Sequence, residues 1–210
     1  MPPCSSSPAA ERNKQPILEL LLGLLPPRGQ ALEIASGTGQ HAAWFTPALP
    51  HWRWQTSECE AQSLPLLAQR LEQDCAGAGL PVLPPVRIDV RDPQWPSDGA
   101  AFTHRFDLVY CANMLHIAPW ACCRGLMQGC ARTLQAGGLL VLYGPFLEDG
   151  VVTAEGNLAF DRDLRSRNPD WGLRRLQAVQ QEAGQVGLRL QARHAMPANN
   201  LLLVFARVPP

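Results

Sequence analysis

The chain has little charge and no excess of either sign. Charged residues are 17% of its 210 positions, with 18 Lys+Arg against 18 Asp+Glu. A neutral chain has no overall field to draw it to nucleic acid or to an anionic membrane surface. Low charge together with 46% hydrophobic residues also excludes a disordered chain. The seven cysteines include no C-x-x-C pair, so no zinc site or other metal site is predicted. They read as reduced thiols, small and at least partly buried. No apolar run approaches the ~20 residues needed to span a bilayer; the greasiest stretch, 17–25, is broken by Glu19 and Gly23 and stops at Pro26-Pro27. Residues 1–8 lack a basic segment leading into an apolar one, so no secretory leader is expected and the expected location is cytoplasmic.

Turn-forming residues, in contrast, are plentiful: 20 prolines and 17 glycines imply short, punctuated connections. Ser7-Pro8 has the form of a helix start, with Ser7 as N-cap and Pro8 at the first helical position. Apolar residues then recur at helical spacing to Leu25. Residues 30–34 predict a strand, Ala35-Ser36-Gly37-Thr38-Gly39 a turn and 40–49 a helix, the opening of a βα unit. The alternation continues with strands over 52–56, 85–90, 106–111 and 139–143, and helices over 61–78 and 121–134. Such alternation predicts an α/β fold with a mostly parallel sheet covered on both faces. Near the C-terminus a helix over 171–183 precedes strands over 188–193 and 201–207. The link between those strands is too short for a parallel crossover, so the last strand should run antiparallel. There is no internal repeat and no linker. The reading is one domain over 1–210, with 1–7 flexible and 150–172 a polar insertion.

The stretch 32–41, Leu-Glu-Ile-Ala-Ser-Gly-Thr-Gly-Gln-His, carries the chemistry. Glycines between a first strand and a helix let a ligand approach the backbone. Gly37-x-Gly39-x-x-Ala42 also fits a dinucleotide fingerprint, which leaves a nicotinamide oxidoreductase open at this point. Glu33, within the strand, is expected to aim a carboxylate at the ligand crevice, which suits a sulfonium or ammonium better than a pyrophosphate. Glu58 ends the second strand at the spacing where an acid accepts ribose hydroxyls. Asp89, at the end of the third predicted strand, is placed to accept from an adenine amino group.

Glu33-x-x-x-Gly37-x-Gly39, Glu58, Asp89 and the antiparallel last strand resemble the class I S-adenosylmethionine-dependent methyltransferases. Several segments resemble, more narrowly, one uncharacterised methyltransferase-like family: Glu11-Arg-Asn-Lys14, 33–41, Asn113-Met-Leu-His-Ile117, Tyr143-Gly-Pro-Phe146 and Met196-Pro-Ala-Asn-Asn200. The likeness runs over roughly 7–207. It implies a Rossmann-like three-layer sandwich with a seven-stranded sheet, S-adenosyl-L-methionine as cofactor, and methyl transfer by in-line displacement. The implied cofactor set is Glu33, Gly37 and Gly39 at the methionine moiety, Glu58 at the ribose and Asp89 at the adenine, with Ala35, Ser36 and Asn113 beside them. Two departures stand out. Ala35 replaces the first glycine of many methyltransferases, and Glu58 replaces the aspartate usual in the narrower family.

The acceptor groove of such a fold lies beyond the fourth and fifth strands. His116 reads either as a general base or as a packed histidine, and Tyr143 either as a wall beside the reacting methyl or as a core tyrosine. With Asn113 they form the candidate catalytic set. Asn113 lacks the following prolines and aromatic of amino methyltransferases acting on nucleic acid. Asn157, Arg165 and Trp171 are the candidate substrate residues of the polar insertion, read as a lid. Arg12 is either a clamp for the cofactor carboxylate or a solvated residue of the first helical turn. The arginines at 162–175 either attract an anionic substrate or pair along a helix face. The expected partner is a small-molecule or protein methyl acceptor, with neither nucleic acid nor membrane involved. The alternative function is a cofactor-binding regulatory protein without methyl transfer.

Overall fold

The computed structural model describes residues 7–75 and 82–208. Seven strands form one sheet in the order β3-β2-β1-β4-β5-β7-β6. In chain order they are β1 (Gly29–Ile34), β2 (Trp52–Glu58), β3 (Val82–Arg87), β4 (Phe106–Ala112), β5 (Leu134–Gly144), β6 (Leu188–Met196) and β7 (Asn200–Arg207). All pairings from β3 through β5 are parallel, and β7 is antiparallel to both β5 and β6. The predicted reversal of the last strand is therefore present. Its cause is the short link, in which Ala198 and Asn199 both take left-handed φ values of 58° and 56°.

Side chains alternate across β1. Leu32 and Ile34 join one core, with α4 (Ala121–Thr133) and α6 (Leu176–Gly184). Ala31 joins the other, with α1 (Pro8–Leu24), α2 (Gln40–Phe45) and α3 (Leu64–Asp74). The result is a three-layer sandwich, as expected from alternating strands and helices. α5 (Glu155–Arg167) contributes to neither core; its one buried residue, Leu164, lies outside both clusters.

α1 begins as the sequence indicated. The Ser7 side chain accepts from the Ala10 N–H, and Pro8 opens the helix. Several elements differ from expectation. α2 stops at Phe45 rather than 49 because Pro47 cannot donate the N–H that would continue it. β3 covers 82–87 rather than 85–90: it is the sheet-edge strand, where Pro84-Pro85 is tolerated because no outer neighbour needs their N–H. α6 starts at Leu176 rather than 171 because the preceding residues are extended: Leu147 donates to the Arg174 carbonyl and Leu176 to that of Leu147. The insertion at 150–172 contains α5, whose arginines pair at i,i+4 spacing, Arg165 with Asp161 and Arg167 with Asp163. The predicted end of α3 beyond 75, and residues 1–6 with Cys4, lie outside the described residues. No described helix is long and apolar enough to cross a membrane.

A pair of small residues on α4 sets the approach of the segment after β3. A side chain at Gly125 would strike the Val90 carbonyl, and one at Gly129 the Trp95 indole. Only glycine lets α4 lie this close.

Candidate active site

The C-terminal ends of β1 and β4 lie side by side where the strand order reverses, with β2 beyond one and β5 beyond the other. That crevice is where open α/β sheets bind ligands. Left-handed backbone concentrates at its edge: Ala35 at φ 54°, Gly37 at 58°, Gly39 at 75° and Asn113 at 61°. Gly37 faces open space, with nothing within 4 Å of where a side chain would begin. Ala35 adopts the same region without glycine's freedom, a strain of about 1–2 kcal/mol. Ser36 joins the turn to β2: its N–H donates to the Ser57 carbonyl at 2.9 Å, and its hydroxyl accepts from the Ser57 N–H at 3.2 Å.

Glu58 closes onto this turn. One carboxylate oxygen accepts from the Gly37 N–H at 2.6 Å and the other from the Cys59 N–H at 3.1 Å. Glu58, Gly37 and Thr38 line a cavity of about 500 Å³ against the start of α3. A second cavity of about 460 Å³ lies across the ends of β4 and β5 and includes Arg12, Asn13, Asn113, Tyr143 and Asn157 in its lining. Ile117, Pro145, Phe160, Pro197 and Ala198 give it apolar walls.

The acids at 33 and 89 are placed differently from expectation, and neither lines these two cavities. Glu33 is 2% exposed and points into the layer of α1 and α2, where its Oε2 accepts from the Trp54 indole N–H at 2.8 Å. Burial pushes its pKa up to about 8, against the indole bond, with the negative charge of Glu58 adding a smaller push. β1 alternates, so a residue one step from Leu32 and Ile34 must face the opposite layer. Asp89 lies two residues past the end of β3. Arg91 holds it in a fork, donating from Nε to Oδ1 at 2.9 Å and from Nη2 to Oδ2 at 2.6 Å, and these bonds keep its pKa low.

His116 is 1% exposed and does not line the second cavity. Its ring lies under Gly144, against Phe146 at 4.9 Å between centroids, and neither ring nitrogen has a partner among the described residues. Burial lowers its pKa to about 3, so at neutral pH the ring is uncharged. Tyr143 does line the cavity. Burial raises its pKa while the Asn13 amide hydrogen-bonds its hydroxyl. Asn157 is fixed by donating to the Asn199 carbonyl at 2.8 Å. Arg165 and Trp171 do not line the cavity. The first is bound to Asp161, and the second lies under the Arg167 guanidinium at 5.3 Å.

A buried relay behind the glycine turn went unread in the sequence. His41 Nε2 donates to Asn13 Oδ1 at 2.7 Å, and the Tyr110 hydroxyl approaches His41 Nδ1 at 3.4 Å. Gln40 makes a second link, its amide donating to Glu11 while its oxygen accepts from the Ser7 N–H. Arg174, one of the arginines at 162–175, braces the loop after β4 by donating to the Leu115 and Ala118 carbonyls at 2.9 and 2.7 Å.

A family model described as "Protein of unknown function (DUF938)" matches residues 4–207. The chain belongs to the DUF938 family. Among solved structures, this DUF938 chain is similar to an O-methyltransferase family protein from Burkholderia thailandensis, with a TM-score of 0.75 and 18% identity over 95% of this chain and 57% of that one. It is also similar to human N-acetylserotonin methyltransferase, solved in complex with SAM, with a TM-score of 0.74 and 14% identity over 96% of this chain and 53% of that one. The DUF938 chain thus spans little more than half the length of these proteins, and what it shares with them is the Rossmann-like class I methyltransferase fold.

Proposed function

We propose that this chain is an S-adenosylmethionine-dependent methyltransferase acting on a small-molecule acceptor. The observation that carries the reading is the Glu58 carboxylate, held by the Gly37 N–H at 2.6 Å at the edge of a cavity. A carboxylate fixed by two backbone donors keeps lone pairs for two ribose hydroxyls, and it occupies the Gly37 N–H that the pyrophosphate of a dinucleotide would use. The open space over Gly37 admits a ligand against the backbone, so the residues present fit the cofactor.

When bound, S-adenosylmethionine supplies a methyl group on a positively charged sulfur, which departs with the C–S electron pair. The protein's part is positioning and exclusion of water. Glu58 holds the ribose, the backbone at Gly37 accommodates the methionine end, and Asn113 and Tyr143 face the acceptor. α1 and α5 wall the second cavity. Glu33 supports the turn from inside, and Asp89 is held in place by Arg91.

The test is retention of radiolabelled S-adenosylmethionine by the purified protein, challenged with S-adenosylhomocysteine and separately with NADH. Displacement by the homocysteine and not by NADH supports the reading. Displacement by NADH alone returns the chain to the oxidoreductase class.

A further inference from the structure

The second cavity is distinguished by the sign of its charge and by its lack of a proton acceptor. Arg12 carries the one formal charge among the described residues that line it. The remaining polar lining is amide, hydroxyl and phenol, among them Asn113, Asn157 and Tyr143. An arginine stays protonated at any relevant pH. Tyr143 is protonated at neutral pH, its pKa raised by burial, and His116 lies sealed beneath Gly144. Ile117 and Phe160, which also line the cavity, are 47% and 39% exposed, large apolar side chains that the described residues leave uncovered.

We infer that the methyl acceptor is a small, flat, apolar molecule bearing an oxygen acid that is already ionised when it binds, a phenolate or a carboxylate. The inference rests on the methyltransferase reading and adds to it the acceptor's charge and shape. A cationic amine would meet Arg12 and the cofactor's positive sulfur with no carboxylate to offset them, whereas an anion is attracted by both. This sign does not depend on whether Arg12 also touches the cofactor, because the cofactor's own ammonium and carboxylate cancel. An acceptor that arrives ionised needs no base. Its oxygen lone pair forms the new bond to the methyl carbon, the C–S pair goes to sulfur, and no proton moves. Ile117 and Phe160 cover the ring faces, and the Asn113 amide can donate to the oxyanion.

The probe is 4-nitrophenol, whose anion absorbs in the visible and whose free pKa lies near neutrality. It is titrated against the protein alone and against the protein saturated with sinefungin, a non-transferring analogue with an ammonium in place of the sulfonium. The expected result is binding as the anion, with the pKa of the bound probe lowered so that affinity favours phenolate over phenol by at least about tenfold. Benzoate should displace it and benzylamine should not, and displacement by benzoate identifies carboxylates as a second source of the same chemistry. Arg12 is exposed, so Arg12→Gln should fold as the parent does while losing most of the pKa shift. A probe pKa unchanged or raised, displacement by benzylamine, or no probe binding in protein that does bind sinefungin overturns the inference. Anion binding in protein that does not bind sinefungin leaves the anion site standing and removes the methyltransferase reading instead.

Discussion

His41 Nε2 lies 2.7 Å from Asn13 Oδ1, both side chains buried, and this bond ties the start of α1 to the first turn of α2. The Asn13 side chain also reaches the Tyr143 hydroxyl, so one amide links α1 to the first turn of α2 and to the end of β5. With Nε2 as donor, Nδ1 is left to accept from Tyr110, and burial lowers the ring's pKa to about 4. The imidazole is neutral at physiological pH and acts as a strut. Asn13→Ala should therefore strand two buried polar groups and cost about 1–3 kcal/mol in urea denaturation. Asn13→Asp should be at least as damaging, because it places a charge at a buried site.

Glu33 makes stability depend on pH. Its folded pKa is raised to about 8 from an ordinary 4.5, so between those values the folded state holds a proton that the unfolded chain has lost. Its contribution is complete below about 4.5 and declines as pH rises through about 8, by up to roughly 1.4 kcal/mol per unit. Glu33→Gln should flatten that decline and be the more stable protein at pH 8. Parallel denaturant titrations at pH 5.5 and pH 8 measure the difference.

Ala35 and Gly37 share one left-handed turn, with φ 54° and 58°. Ala35→Gly should relieve backbone strain, and after the added freedom of the unfolded chain the net gain should be up to about 1 kcal/mol. Gly37→Ala should lose about 1–2 kcal/mol by the same physics and also place a methyl group in the open space of the ligand site. Thermal melts with and without S-adenosylhomocysteine separate the two effects: Ala35→Gly keeps the ligand-induced shift and Gly37→Ala loses it.

The parts of this molecule fixed by short-range rules were legible in the sequence. Ser7-Pro8 combines an N-cap with a first-turn proline, the glycines at 37 and 39 mark a turn needing positive φ, and a link as short as 197–199 can join only antiparallel strands. Glu58 was readable because strand length and turn position together set where β2 ends. Asp89 was misplaced because its position depends on β3 being an edge strand, and sheet order is a long-range property that decides whether Pro84-Pro85 can lie in a strand. Glu33 was misdirected because residue spacing along β1 gives its height on the sheet, while the face it takes depends on which neighbours are buried. His41 and Asn13 are 28 residues apart; their bond exists only once α1 is laid across the sheet, and no local pattern encodes that.

The central claim is that Glu58 and the turn beside it hold the adenosyl group of S-adenosylmethionine. Isothermal titration with S-adenosylhomocysteine tests it most directly, comparing the parent protein with Glu58→Ala. Saturable binding is expected for the parent, with a loss of at least about tenfold in affinity in the variant, the worth of a charge-assisted hydrogen-bond pair. Equal affinity in the two proteins, or no heat from the parent at millimolar ligand, would contradict it.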